Sequence, residues 1–229
     1  MTRYPTAEEA KLENIKRMGE PLGKLYSALW QEVSWLNFKW REYVELFGTK
    51  PSRIQLLNKA APAFFRIVQD SLWEVTIIHI ARLTDPPKSA GKENLTVQAL
   101  SPLIADPQIN KNVANLVQMA IEASDFCRDW RNRHIAHRDL KLSREEGATP
   151  LKSASREKMK QAIQAIADVL NAVSLHYSES TTAFDIGGLL GGASSLLYVL
   201  DDGIKAREER QERLKRGEIR EGDVGPRNL

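Results

Sequence analysis

Residues 22–48 read LGKLYSALWQEVSWLNFKWREYVELFG. Apolar side chains return at Leu22, Leu25, Leu29, Val33, Leu36, Trp40, Tyr43 and Phe47, every third or fourth position, and Gly48 follows the last of them. A turn of 3.6 residues stacks such positions into one stripe, so the stretch predicts a long amphipathic helix closed by a glycine. The same period continues down the chain. Pro51 opens the next helix, and Pro62 is expected to break or kink it, because an internal proline lacks the amide donor and crowds the preceding turn. Phe65, Val68, Leu72, Val75, His79 and Leu83 carry one face up to Asp85-Pro86-Pro87, a stop signal.

Residues 86–107, rich in Pro, Gly, Ser and Asn, read as loop around a short helix near 97–104. Ile109, Val113, Leu116, Ala120, Ser124 and Cys127 then mark a long helix that runs straight into Trp130. After a polar interval at 141–155, Ser155 caps a helix with Met159, Ile163, Ile166, Leu170, Val173 and Tyr177 on one side. The run Gly187-Gly188-Leu189-Leu190-Gly191-Gly192 is a flexible junction before a helix carrying Leu196, Leu197, Leu200 and Ile204. No segment alternates convincingly as a strand. The expectation is an all-α fold of long helices, a single domain over residues 1–204. Residues 205–229 form a charged, partly disordered helical tail in which Glu209 and Arg213, and Glu212 and Arg216, stand at the supporting four-residue spacing.

Composition narrows the class. The 229 residues are 42% hydrophobic and 28% charged, enough to bury one globular core. A lone cysteine, Cys127, excludes an internal disulfide and is expected to be buried and inert. Nothing in the sequence resembles a leader peptide or an apolar run of the roughly 18 or more residues that a membrane span needs, so a cytoplasmic protein without a membrane partner is expected. The net charge of +3 is too small to argue for nucleic acid, yet its distribution is uneven. Between Arg128 and Arg144 six basic residues (Arg128, Arg131, Arg133, Arg138, Lys141, Arg144) face two acidic ones (Asp129, Asp139), a local balance of +4.

That basic stretch contains the chemistry: Arg128-Asp129-Trp130-Arg131-Asn132-Arg133-His134-Ile135-Ala136-His137-Arg138-Asp139. A histidine titrates near neutral pH and moves protons, a guanidinium binds phosphate in a fixed fork, and an asparagine orients either. The set points to phosphodiester chemistry. A structural reading of the same residues has the arginines pairing with Asp129 and Asp139 and the histidines favouring the negative end of a helix. His134, His137 and Asp139 lack the thiolate cluster and spacing of a metal site, so no metal or cofactor is expected. The paired glycines are not followed by Gly-Lys-Ser/Thr and do not make a nucleotide loop. Trp30, Trp35 and Trp40 read as core and interface aromatics, and His79 and His176 as core or boundary residues.

Arg131-Asn132 followed by His137 resembles the arginine-x(4 to 6)-histidine signature of the HEPN superfamily, small all-α domains of prokaryotic defence, toxin and abortive-infection systems. Residues 40–48, 57–65 and 81–87, Asn94-Leu95-Thr96 and residues 130–139 are similar to its abortive-infection branch. The resemblance runs from about Trp30 to Asp139 and more weakly over residues 196–203. It implies a HEPN-like helical bundle and a metal-independent RNA endonuclease acting as a homodimer, with a composite site across a basic cleft. In that scheme His137 transfers the proton, Arg131 grips the scissile phosphate and Asn132 fixes the hydroxyl or the histidine. Arg128, Arg133, His134, Arg138 and Lys141 bind RNA. RNA is then the substrate, and an antitoxin or regulatory partner is expected; the alternative is a non-catalytic HEPN-like module that binds RNA or protein.

One spacing departs from many relatives. Arg131 and His137 are six positions apart, which on an ideal helix separates them by roughly 120°. Either the helix ends or distorts between them, or each works with its counterpart in a second subunit. Arg133 and His137, four apart, share a face, which leaves Arg133 as an alternative phosphate ligand.

Overall fold

In the computed structural model, which describes residues 5–89, 91–144, 147–186, 190–220 and 222–223, the chain is an all-α helical bundle. The stripe at 22–48 lies on one continuous helix, α2 (Glu20–Phe47). It is preceded by α1 (Ala7–Met18), opened by a capping box between Thr6 and Glu9. Pro62 breaks rather than kinks: α3 (Pro51–Ala60) stops before Ala61, whose backbone is extended (φ −161°, ψ 78°), and the proline begins α4 (Pro62–Leu83). At the first helical position a missing amide costs nothing.

The loop after α4 departs from expectation in one detail. Lys88–Ser89 (β1) and Lys92–Glu93 (β2) pair as a two-residue antiparallel hairpin. The expected short helix is a pair of 3-10 turns, Val97–Ala99 and Ser101–Leu103. Next come α5 (Pro107–Ala123), α6 (Asp125–Trp130), α7 (Leu140–Ser143), α8 (Arg156–Ser178) and α9 (Ala193–Lys215). Ser155 caps α8, its hydroxyl accepting from the Lys158 amide at 3.2 Å. Of the expected glycine junction, residues 187–189 lie outside the described residues, as does the end of the tail at 224–229.

The chain packs as two compact units. One comprises Met1–Trp40 and Leu72–Gly187, the other Arg41–Ser71 and Gly188–Leu229. In the first, α5 and α8 pack along each other, with Val113 and Ala120 on one side and Met159, Ile166 and Leu170 on the other fully buried. Leu29, Val33 and Leu36 of α2 and Ile77, Ile80 and Leu83 of α4 complete this core. Cys127 is buried here, and burial pushes its thiol up to about 12. Trp40 packs on Trp73. Trp30, 39% exposed, donates to the Thr182 hydroxyl and packs on Phe184, and Trp35 packs edge-on to Phe38.

In the second unit α3 packs on α9. The Glu42 carboxylate accepts from the Ala193 amide at 2.6 Å and so caps α9, and a Cβ on Gly192 would collide with that carboxylate. The charged stretch from Lys205 continues in the same helix as Leu197 and Ile204, with Glu208 paired to Lys59 and Arg207 donating to the Lys59 carbonyl. Beyond it Arg213 and Asp223 form a bidentate pair at 2.9 and 3.0 Å.

Gly23 marks a close approach of α1 to α2. A Cβ there would stand 2.5 Å from Ile15 Cα and 2.6 Å from Ile15 N, backbone atoms that cannot rotate aside. Gly23→Ala is therefore expected to destabilise the protein by about 1–3 kcal/mol in chemical denaturation. Gly203→Ala, in open space within α9, stabilises it by about 0.5–1 kcal/mol.

His79 supplies a pH signature. It is 3% exposed, with Nδ1 3.5 Å from Lys39 Nζ and Nε2 2.9 Å from Glu32 Oε2 at an angle too oblique for a hydrogen bond. Burial, followed by the charges of Lys39 and Arg82, lowers it from 6.5 to about 4 against the opposing pull of Glu32. Below pH 6.5 the unfolded chain takes up a proton that the folded chain refuses. Stability therefore falls as pH drops from about 6.5 to 4, by at most about 1.4 kcal/mol per pH unit from this group. Denaturation across that range, with His79→Asn flattening the slope, is the check.

Candidate functional site

The helix expected to run unbroken into the basic motif is interrupted twice. Ser124 ends α5 with φ −97° and ψ 1°, and α6 restarts at Asp125. Ser124 is fully buried, and its hydroxyl donates to Thr84 Oγ1 at 2.8 Å, which ties the break to the end of α4. After Trp130 the backbone widens into a π-helical turn, Arg131–Ile135, closed by the Ala136 amide on the Arg131 carbonyl at 2.8 Å. Trp130 and Ile135 both pack against the core, and the wider turn lets both do so. The helix thus both distorts and ends between Arg131 and His137, so ideal-helix angles do not relate these two residues.

The arginines point to two sides. Arg131 Nη1 pairs with Asp85 Oδ2, and its Nε donates to Asn132 Oδ1 at 3.0 Å. Arg128 Nε faces Asp85 Oδ1 at 3.7 Å, its Nη1 lies 3.9 Å from Asp125, and its Nη2 donates to the Thr84 carbonyl at 3.1 Å. Arg133 turns the other way. It contacts Asp129 at 3.3 Å and Asp139 at 3.5 Å and donates to the Thr149 carbonyl at 2.5 Å, which is the structural pairing that the acids in the motif allow.

A connecting segment is strapped to this second side. The Trp130 indole donates to the Lys152 carbonyl at 2.8 Å, the Lys152 amide donates to Asp129 at 2.8 Å, and the Lys152 ammonium pairs with Asp125. Asp139 caps α7 through the Leu142 amide. That bond, followed by its contact with Arg133, holds its carboxyl below the usual range.

His134 packs edge-on to Trp130, with ring centroids 5.4 Å apart. Asn132, His137, Arg138 and Lys141 are exposed. The side chains of His137, Arg138 and Lys141 make no hydrogen bond or ion pair among the described residues. The structure therefore brings Arg128, Arg131 and Asn132 together around Asp85, separates Arg133 from them, and leaves His137 beyond the π turn, joined to none of them by a hydrogen bond. Among the described residues no group of three or more His, Cys, Asp or Glu is placed to hold a metal ion. The residue whose contacts sequence reasoning missed is Asp85, which it took as a helix stop and as part of the family-like stretch 81–87 but not as part of the site; its signal was a carboxylate directly before two prolines.

The family HEPN_AbiU2, described as AbiU2, matches residues 19–188, a span that includes α2, Asp85 and the whole basic motif. The chain belongs to this HEPN-like abortive-infection family. No curated protein and no solved structure matches it.

Arg133 holds the connecting segment, so its loss acts on structure. Arg133→Ala is expected to lower stability by about 0.5–1.5 kcal/mol, by removing its bonds to Asp129 and to the Thr149 carbonyl, while Asp129 keeps the Lys152 amide. It also speeds amide exchange at Lys152. Unchanged exchange there would remove Arg133 from this role.

Proposed function

We propose that this protein is a metal-independent RNA endonuclease of the abortive-infection type, in which Arg131, Asn132 and His137 carry the reaction. The observation that supports this best is the contrast within the motif. Arg131 and Asn132 are bonded to each other and fixed on the π turn, while the imidazole of His137 and the cations of Arg138 and Lys141 stand exposed and unengaged. A fixed phosphate ligand and a free proton carrier are the two parts that cleavage of RNA by its own 2'-hydroxyl requires.

In the reaction the 2'-oxygen forms a bond to phosphorus as its proton leaves to an imidazole, and the bond from phosphorus to the 5'-oxygen breaks as that oxygen receives a proton. The products are a 2',3'-cyclic phosphate and a 5'-hydroxyl. One His137 serves one of these transfers, and a homodimer supplies a second His137 for the other. Arg131 offsets the charge that develops on the phosphoryl oxygens, and Arg138, Lys141 and His134 hold the flanking strand. Arg128 and Arg133, engaged by carboxylates and carbonyls, support the site from behind.

The setting is the cytoplasm, with an antitoxin or regulatory partner restraining the enzyme. No described helix is long and apolar enough to cross a membrane. A second reading, a non-catalytic module that binds RNA or protein, draws on the pairing of Arg128, Arg131 and Arg133 with internal carboxylates.

The discriminating experiment incubates the purified protein with total RNA in excess chelator and maps the new ends. The enzyme yields 2',3'-cyclic phosphates. His137→Ala slows cleavage by about 10²–10⁴-fold while changing stability by no more than about 0.5 kcal/mol, because the side chain is exposed and unbonded. RNA retained without new ends marks the binding module instead.

A further inference from the structure

Arg131 is fixed on two of its three nitrogens. Nη1 is paired with Asp85 and Nε donates to Asn132, whereas Nη2 makes no hydrogen bond among the described residues. The second oxygen of Asp85 faces Arg128, so one carboxylate sets two guanidiniums at once. Its location is unfavourable by itself. Asp85 lies two residues beyond the last residue of α4, its amide reaching back to the Arg82 carbonyl at 3.4 Å. There the aligned carbonyls make a negative potential, and an acidic side chain is destabilising unless cations offset it.

The backbone that carries the carboxylate is anchored independently of the arginines. Its neighbour Thr84 is fully buried; the Thr84 hydroxyl donates to the Ile80 carbonyl at 3.0 Å and accepts from Ser124. The Thr84 carbonyl accepts from Gln98 Nε2 at 2.8 Å, and Thr96 donates to the Leu83 carbonyl at 2.9 Å. Four side chains, those of Thr84, Thr96, Gln98 and Ser124, thus satisfy the closing turn of α4 and hold the backbone from which Asp85 projects.

We propose that Asp85 is the positioning residue of the site: with Asn132 it locks the Arg131 guanidinium so that Nη2 alone is presented to the scissile phosphate, and with Thr84 it holds Arg128 away from substrate. This rests on the ribonuclease reading. A guanidinium fixed before substrate arrives loses no rotamer freedom on binding, and its planar fork keeps one aim. Asp85 also cancels a positive charge beside the site, so that recognition of the scissile phosphate depends on direction more than on net charge.

The test compares full-length wild type, Asp85→Asn, Arg131→Lys and the double variant in single-turnover RNA cleavage, equilibrium RNA binding and thermal unfolding. Asp85→Asn is expected to slow cleavage by about 10²-fold through misaimed Arg131. It does not weaken RNA binding, since an anion has been removed beside a polyanion. In the Arg131→Lys background it adds no more than about twofold, because both changes act through the same group. Asp85→Glu, which keeps the charge, cleaves at a rate between the wild type and Asp85→Asn, and it carries the comparison if the asparagine variant does not fold.

Equal slowing in both backgrounds, or a loss that follows the unfolding midpoint, overturns the proposal and makes Asp85 a structural residue. Faster cleavage by Asp85→Asn overturns it too, making the carboxylate a competitor for the phosphate. A wild type that cleaves and depends on His137 but not on Asp85 removes this inference alone. An inert wild type removes the ribonuclease reading and the inference together.

Discussion

The hydrogen bond between the hydroxyls of Ser124 and Thr84 joins two chain breaks, the end of α4 and the gap between α5 and α6. Both residues are fully buried, and each hydroxyl also lies within reach of a carbonyl of its own segment, Thr84 that of Ile80 and Ser124 that of Ile121. The bond between them therefore adds about 0.5–1.5 kcal/mol rather than rescuing an unpaired group. The bond fixes one break against the other. The carbonyl of Thr84 then takes Arg128 and Gln98, and the next residue presents its carboxylate to Arg128 and Arg131. The orientation of the basic motif therefore descends from a neutral, buried contact some distance along the chain.

The motif turn is held from two sides that do different things. On one side Asp85 and Asn132 restrain the arginines; on the other Arg133, Trp130 and Asp129 hold the connecting segment at Thr149 and Lys152. The π turn between them allows Trp130 and Ile135 to stay on the core while the chain leaves the helix before His137. An extra residue in a helical turn weakens its regular bonding and persists where its neighbours determine it. The result is an arginine held by two partners followed by an exposed histidine, the arrangement from which the proposed reaction is drawn.

Much of the fold was legible because it rests on local periodicity. The stripe from Leu22 to Phe47, the stops at Gly48 and Asp85, the restart at Pro51 and the cap at Ser155 each encode their meaning within a few residues. The α1 helix carries its signal in the Thr6–Glu9 capping box rather than in a stripe, and the apolar period passed over it. The break at Ser124 was invisible because its cause, Thr84, lies forty residues away, and the apolar pattern continues across it. Arg131, Asn132 and His137 could be named as candidates from residue type and family resemblance. Their relative placement could not, since a π turn depends on where Trp130 and Ile135 meet the core. Asp85 went unread because a carboxylate before two prolines already had a sufficient local explanation.

In the proposed reaction the nucleophile belongs to the RNA, and the protein only aims and protonates. Once a cleavage position is mapped, a synthetic substrate carrying a single 2'-deoxy nucleotide immediately before the scissile phosphate tests this most directly. Cleavage is expected to stop at that position and to continue at unmodified ones in the same strand. Continued cleavage at the deoxy position would contradict it, because the attacking oxygen would then have come from elsewhere.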